Sequence, residues 1–214
     1  MKCASVLKSI LLFTLILCTM ASVLSFASCD RDYDEDEVLG AAEELLKKAE
    51  VLNDVYWGGG IDYMSGGFSD GIYKQASDIH LASLGFSTIA ELKALTEATY
   101  SDSYVNTIYT TKLDEAPVGF VLYIQKWDDE VEKTTPACIM VNTEMVRVGD
   151  DLAYDYSTLR IEGVEDEIVT VLVDATVTNP DGESQVRTLR IQLIEEDDGW
   201  RINSPTFAKY FVEE

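Results

Sequence analysis

The segment that most restricts the fold runs from 167 to 200 and reads EIVTVLVDATVTNPDGESQVRTLRIQLIEEDDGW. Its first half places apolar side chains at every second position, and the alternation resumes in its second half. A period of two is the pattern of a half-buried β-strand. Asn179-Pro180-Asp181-Gly182 has the residues that a type I turn favours. The segment therefore predicts an antiparallel hairpin with one apolar face, made of Val169, Val171, Val173, Ala175, Val177, Leu189, Ile191 and Leu193.

Three stretches upstream of this hairpin also have strand character. They read VGFVLYIQKW, ACIMVNTEMVRV and LAYDYSTLRI. In the third, Tyr154 and Tyr156 share one face, whereas Leu159 and Ile161 share the other. A β-bulge near Ser157 accounts for this change of parity.

Helical patterns dominate the chain before Pro117. A long amphipathic helix is predicted from Val38 to Gly58, with i,i+4 Glu–Lys pairs on its outer side. Thr88 and Glu91 form a capping box that opens a second helix, SDSYVNTIY predicts a third, and DGIYKQAS reads as a short strand. Helices followed by an antiparallel meander are typical of an α+β domain. The apolar face of the long helix comprises Val38, Ala41, Ala42, Leu45, Ala49, Leu52 and Tyr56.

The first residues have the order of a secretory signal: two lysines, an apolar core and then FASCD. Phe26-Ala27-Ser28-Cys29 resembles a bacterial lipoprotein signal, which implies acylation of Cys29 and a lipid-anchored extracytoplasmic protein. Ordinary cleavage after Ala27, giving a secreted protein, and a retained membrane anchor are the alternatives. We expect a signal peptide over 1–28, an acidic tether over 29–37 and a single domain over 38–214.

The charge of the chain restricts its partners. Removal of Lys2 and Lys8 with the signal leaves 14 basic residues against 39 acidic ones, a net charge of −25. Nucleic-acid binding is excluded, because it needs cationic groups that displace phosphate counterions. Basic proteins are the favoured partners, and we expect contact with the membrane only through the lipid.

Six of the thirteen glycines fall between Gly58 and Gly71, in the run GGGIDYMSGGFSDG. The run matches neither a Walker A motif nor a dinucleotide-binding fingerprint. It carries no Lys or Arg, whereas it includes Asp62 and Asp70, so a phosphate would meet like charge. We call this segment the glycine loop.

The order of these elements carries a family resemblance. The long helix, the shorter helices and a sheet that closes on DDGWRINSPTF resemble the NTF2-like, cystatin-related cone, in which a long N-terminal helix lies in the hollow of a curved antiparallel sheet. AAEELLKKAEVLNDVYWGGG, the run from IYKQAS to FSTIAELKALTEATYSDSY, and VTVLVDATVTNPDGESQVRTLRIQLIEEDDGWRI are similar to exported Firmicute proteins that inhibit cell-wall DL-endopeptidases. The likeness covers most of residues 38–214.

This resemblance implies a protein that plugs the cleft of a peptidoglycan hydrolase and has no catalytic activity of its own. The glycine loop is the candidate plug, because glycine permits a tight, exposed path. The alternative is that the loop merely returns the chain to the sheet. The side chains that the loop offers to a partner are Ile61, Asp62, Tyr63, Met64, Phe68 and Asp70.

An enzymatic function has weaker support in the sequence. Alternation places Asp155 opposite its tyrosine neighbours and Asp174 opposite the valine face, outside an apolar cavity. His80 is the only histidine, and Cys138 reads as a small buried hydrophobe. Asp30, Asp32 and Asp34 fail as an EF-hand loop, and we expect neither metal nor cofactor. Small-ligand capture in the mouth of the cone and a purely structural lipoprotein are the remaining alternatives.

Overall fold

The computed structural model describes residues 33–113, 122–126, 138–145 and 149–209. Within these ranges, the residues from Asp34 onward belong to one compact unit. Its helices are α1 (Glu35–Trp57), α2 (Asp78–Leu84), α3 (Ile89–Glu97) and α4 (Asp102–Lys112). Its strands are β1 (Ser69–Asp70), β2 (Tyr73–Gln75), β3 (Tyr123–Lys126), β4 (Cys138–Asn142), β5 (Asp151–Glu165), β6 (Ile168–Thr178), β7 (Ser184–Glu196) and β8 (Gly199–Ile202). The protein is α+β, as the sequence predicts.

Helix α1 begins earlier than its apolar pattern indicates. Asp34 caps it by accepting hydrogen bonds from the backbone N–H groups of Asp36 and Glu37. Three acidic residues then occupy the first turn, where the positive end of the helix dipole favours them. Residues 35–37, expected in the acidic tether, are therefore helical. The predicted end of the helix is confirmed, with Gly58 as the C-cap.

The shorter helices begin at hydroxyl caps. The capping box of Thr88 and Glu91 is confirmed, and Ser101 caps α4. Ser77 accepts a hydrogen bond from His80 N at the start of α2, a helix that the sequence analysis did not predict. The carboxylate of Glu91 also accepts bonds from Ser87, and these hydrogen bonds lower the pKa of Glu91.

The C-terminal sheet has the strand order β5-β6-β7-β8, with every neighbouring pair antiparallel. The alternation of β6 is confirmed: its valine face is buried from Val169 to Val177. The turn at 179–182 is confirmed by the bond from Gly182 N to Asn179 O. The bulge predicted near Ser157 is present as a register shift between Asp155 and Arg160.

The remaining strands form a second antiparallel sheet, with the order β1-β2-β4-β3. The family resemblance implies one curved antiparallel sheet, whereas the described strands are divided between two sheets. Strand β4 pairs with β2 from the segment after the glycine loop, with Lys74 opposite Val141. Of the predicted strand VGFVLYIQKW, only residues 122–126 lie within the described part of the chain. Neither sheet closes into a barrel.

Helix α1 packs against β5 and β8, the two outer strands of the C-terminal sheet, and so spans its full width. Its buried residues include Asn53, whose amide donates to Tyr154 Oη at 2.9 Å. The Thr206 hydroxyl donates to Asn53 Oδ1 at 2.8 Å and also bonds the Tyr100 hydroxyl at 2.7 Å. This network joins the helix to the sheet and to the segment that follows β8.

Candidate functional site

The glycine loop starts with a tight wrap around the end of α1. Asp54 holds it, because its backbone oxygen accepts from Gly58 N and Gly60 N while its carboxylate accepts from Gly59 N at 2.9 Å. A Cβ on Gly58 would lie 2.7 Å from Asp54 Oδ1, and Gly60 has a φ of 76°. Gly58 therefore leaves no room for a side chain, and Gly60 has a positive φ that favours glycine.

Ile61 anchors the loop in the core. It is fully buried, and its N–H donates to the Tyr123 hydroxyl at 3.1 Å. That hydroxyl in turn donates to Val55 O in α1 at 2.6 Å. Ile61 was expected to offer its side chain to a partner, and this prediction is wrong, because the side chain fills the interior beneath the loop.

Beyond Ile61 the glycine loop is an ordered hairpin. Ser77 N donates to Asp62 O at 2.7 Å, Met64 N donates to Gln75 O at 2.9 Å, and Tyr63 forms a bridge with Ala76. After the turn, Gln75 N donates to Phe68 O, and β1 continues the pairing with β2. We call residues 61–77 the glycine hairpin. Because β2 also pairs with β4, this hairpin is an extension of the second sheet.

Three of the predicted site residues are exposed together near the open end of this hairpin, where Asp62 pairs with Ser77 and Tyr63 with Ala76. Tyr63 is 40% and Met64 42% exposed, and they are among the few large hydrophobic residues exposed in the described chain. The Asp62 side chain beside them is 79% exposed. Phe68 is half-buried, and its N–H donates to Gln75 Oε1 at 3.2 Å. For Asp70 the structure describes the backbone pairing with Tyr73 only.

Three residues that the sequence analysis did not assign to the site adjoin these. The Lys74 ammonium lies 4.7 Å from the centroid of the Tyr63 ring, which is a cation–π distance. Asp62 N donates to His80 Nδ1 at 2.8 Å. Ile79, next to His80, is 85% exposed. The sequence signal for these residues was Ser77, the N-cap of α2. This cap starts the helix directly after the hairpin and so places Ile79 and His80 beside it.

The carboxylates weighed for catalysis lie elsewhere. Asp174, on the outer face of the C-terminal sheet, accepts a hydrogen bond from the Thr188 hydroxyl at 2.6 Å. Asp155 accepts bonds from Ser157 within the bulge. Cys138 is half-buried in β4, with its sulfur 3.6 Å from that of Met140. None of these residues contacts His80 through a hydrogen bond in the described structure.

The buried tyrosines are structural. Burial raises the pKa values of Tyr56, Tyr100, Tyr123 and Tyr154. Each hydroxyl has a partner: Tyr56 bonds Thr96 Oγ1 at 2.9 Å, and the other three join the contacts described above. Their hydrogen-bonding capacity serves the fold.

Within the described residues, no group of three or more His, Cys, Asp or Glu side chains has the arrangement of a metal site. The same part of the chain holds no helix with the length and apolar character that a membrane crossing needs. Comparisons with known protein families, with curated proteins and with solved structures found no match.

Proposed function

We propose that this protein is a non-catalytic inhibitor of a peptidoglycan DL-endopeptidase, held at the outer face of the bacterial membrane by a lipid on Cys29. The glycine hairpin enters the substrate cleft of the hydrolase. The observation that carries the proposal is the exposure of Tyr63 and Met64 on a hairpin whose backbone is fixed by hydrogen bonds.

The rigidity of the hairpin favours binding. Side chains and loops that become ordered on association reduce affinity, so a segment already held in its bound shape binds more tightly. Asp62, Met64 and Gln75 all use backbone groups within the hairpin, and Ile61 fastens its base.

The exposed residues suit a protein partner. Aromatic and Met side chains are enriched at protein–protein interfaces, and Tyr often carries a large share of the binding energy. Asp62 adds a charge beside them, and the chain has a net charge of −23. A basic hydrolase is therefore steered towards the protein, and this steering weakens as salt rises.

The identity of the target comes from the family resemblance of the sequence. The finer fold belongs to the same proposal: an NTF2-like cone agrees with the span of α1 across β5 and β8. The second sheet, which carries the glycine hairpin, is then an addition at one end of the cone.

The proposal is tested by titrating the chain from Asp30 onward into a DL-endopeptidase assay on peptidoglycan peptides. This start retains the Asp34 cap of α1. We expect saturable inhibition, weakened about tenfold or more by Tyr63→Ala or Met64→Ala. Val186→Ala is the matched control, because Val186 is 70% exposed on the C-terminal sheet, away from the hairpin. Inhibition that these hairpin substitutions leave unchanged would exclude the hairpin, and no inhibition would exclude the function.

A further inference from the structure

A cleft of about 940 Å³ opens at the C-terminal end of α1. One wall is the α1 face that carries Glu50, Asp54 and Trp57, which lie three or four positions apart and so share a side of the helix. Leu152 of β5 and Phe207 complete this side of the cleft. The volume is in the range of sites that bind small molecules. The exposed residues of the glycine hairpin, Asp62 to Met64, do not line it.

The cleft has an aromatic wall. The rings of Trp57 and Phe207 are stacked, with centroids 4.6 Å apart and planes 20° apart. Both residues are half-buried and both line the cleft. The face of a tryptophan ring is the strongest cation–π acceptor among the side chains, and it also packs well against methylene groups.

Carboxylates outnumber amines around the cleft. The two lysines of the lining are Lys112 and Lys209, against five acids: Glu50, Asp54, Glu144, Asp150 and Asp151. Two of these acids are held in place by the backbone, because Glu50 Oε1 accepts from Tyr154 N at 3.2 Å and Asp54 Oδ1 accepts from Gly59 N at 2.9 Å. A charge held by its own fold needs little reorganisation when a cation arrives.

Two glycines shape the far end of the cleft. A Cβ on Gly149 would lie 2.7 Å from Gly58 Cα and 3.0 Å from Trp57 O, so the two backbone segments touch directly. Gly58 and Gly149 both line the cleft. Their contact fixes the end of α1, with Trp57, against the residues that lead into β5.

We propose that this cleft binds an aliphatic amine, a primary or secondary ammonium on an apolar stem, as in a polyamine. The ammonium lies among the carboxylates of Glu50 and Asp54, and the methylene stem packs on Trp57 and Phe207. Anionic ligands are repelled by the excess of carboxylates. This site is independent of the hairpin and of hydrolase inhibition.

Calorimetric titration of spermidine into the chain from Asp30 onward, at physiological salt, tests the proposal. We expect one saturable site, and no binding of triethylene glycol, an uncharged chain of similar length. Asp54→Asn is expected to weaken binding about tenfold, since it removes a charge-assisted contact. The asparagine oxygen still accepts from Gly59 N, so the fold is retained. Glu50→Gln serves as a second variant with the same expectation.

The matched control is Asp181→Asn, which removes one carboxylate from the exposed turn between β6 and β7. A chain with a large negative charge attracts polyamines nonspecifically. The control measures how much the loss of one carboxylate weakens this nonspecific attraction. Equal weakening by Asp54→Asn and Asp181→Asn would overturn the proposal, as would the absence of saturable binding up to millimolar spermidine. Selective loss with Asp54→Asn and Glu50→Gln would support it.

Discussion

Gly58 and Gly149 are brought into backbone contact although they are far apart in the sequence. The glycine loop thus contains glycines with different roles. Gly58 is needed because a Cβ would clash with Asp54, and Gly60 because its φ is positive. In contrast, a Cβ on Gly66 would meet nothing within 4 Å. The abundance of glycine there comes from the tight exit of α1 as much as from the hairpin.

We predict that Gly149→Ala destabilises the protein by about 1–3 kcal/mol, the usual range for overpacking. The added methyl group would force the backbones of residues 58 and 149 apart. Gly40→Ala is the matched control, because Gly40 is exposed within α1 and its Cβ would meet nothing within 4 Å. This control should stabilise the protein by roughly 0.5–1 kcal/mol. Denaturant unfolding measures both, and an unchanged midpoint for Gly149→Ala would contradict the contact.

At the scale of elements, local signals in the sequence identified most helices and strands. Residues close together in the sequence determine four of these features. They are the capping box, the end of α1 at Gly58, the valine face of β6 and the bulge of β5. The start of α1 was missed because its first turn is acidic and lacks an apolar pattern. The only sequence signal for this start is the N-cap Asp34. It could not be recognised because it lies in a run of acidic residues, any of which could be the cap.

The cap of α1 provides a test of this boundary. Asp34→Ala should lower the free energy of unfolding by about 1 kcal/mol, since the N–H groups of Asp36 and Glu37 lose their acceptor. Asp34→Asn removes the same charge and keeps the capping oxygen, so its stability should stay close to that of the wild type. If both variants unfold like the wild type in denaturant, residues 34–37 are tether rather than helix.

For the whole molecule, the division into two sheets was not predictable from strand patterns. Alternation shows that a segment is a strand and which face is buried, but it does not name the partner strand. The pairing of β2 with β4 joins segments that are distant in the chain. The same limit applies to the cleft, whose walls come from α1, the start of β5 and the residues after β8. The exposure of Tyr63 and Met64 likewise depends on how the hairpin folds.

The buried tyrosines should make the fold sensitive to alkali. An unfolded tyrosine loses its proton near pH 10, whereas burial raises the pKa values of Tyr56, Tyr100, Tyr123 and Tyr154 in the folded state. Above pH 10 the unfolded state therefore binds fewer protons, and stability falls as pH rises. Each of these residues contributes a slope of up to roughly 1.4 kcal/mol per pH unit.

Tyrosinate absorbance and circular dichroism, followed together against pH, measure this effect. We expect the buried tyrosines to ionise in the same cooperative step that unfolds the protein, after the exposed ones. Tyr104, whose pKa burial raises to about 12, should ionise between the two groups if the fold is still intact. Ionisation of every tyrosine near pH 10 with unchanged circular dichroism would contradict the buried placement.

The measurement that tests the central claim most directly is the kinetic mode of inhibition. Initial rates of a DL-endopeptidase are recorded over a range of peptide concentrations at several fixed concentrations of the protein. A hairpin that occupies the substrate cleft raises the apparent KM and leaves kcat unchanged, and we predict that result. A fall in kcat at saturating peptide, with KM constant, would show binding outside the cleft and would contradict the account.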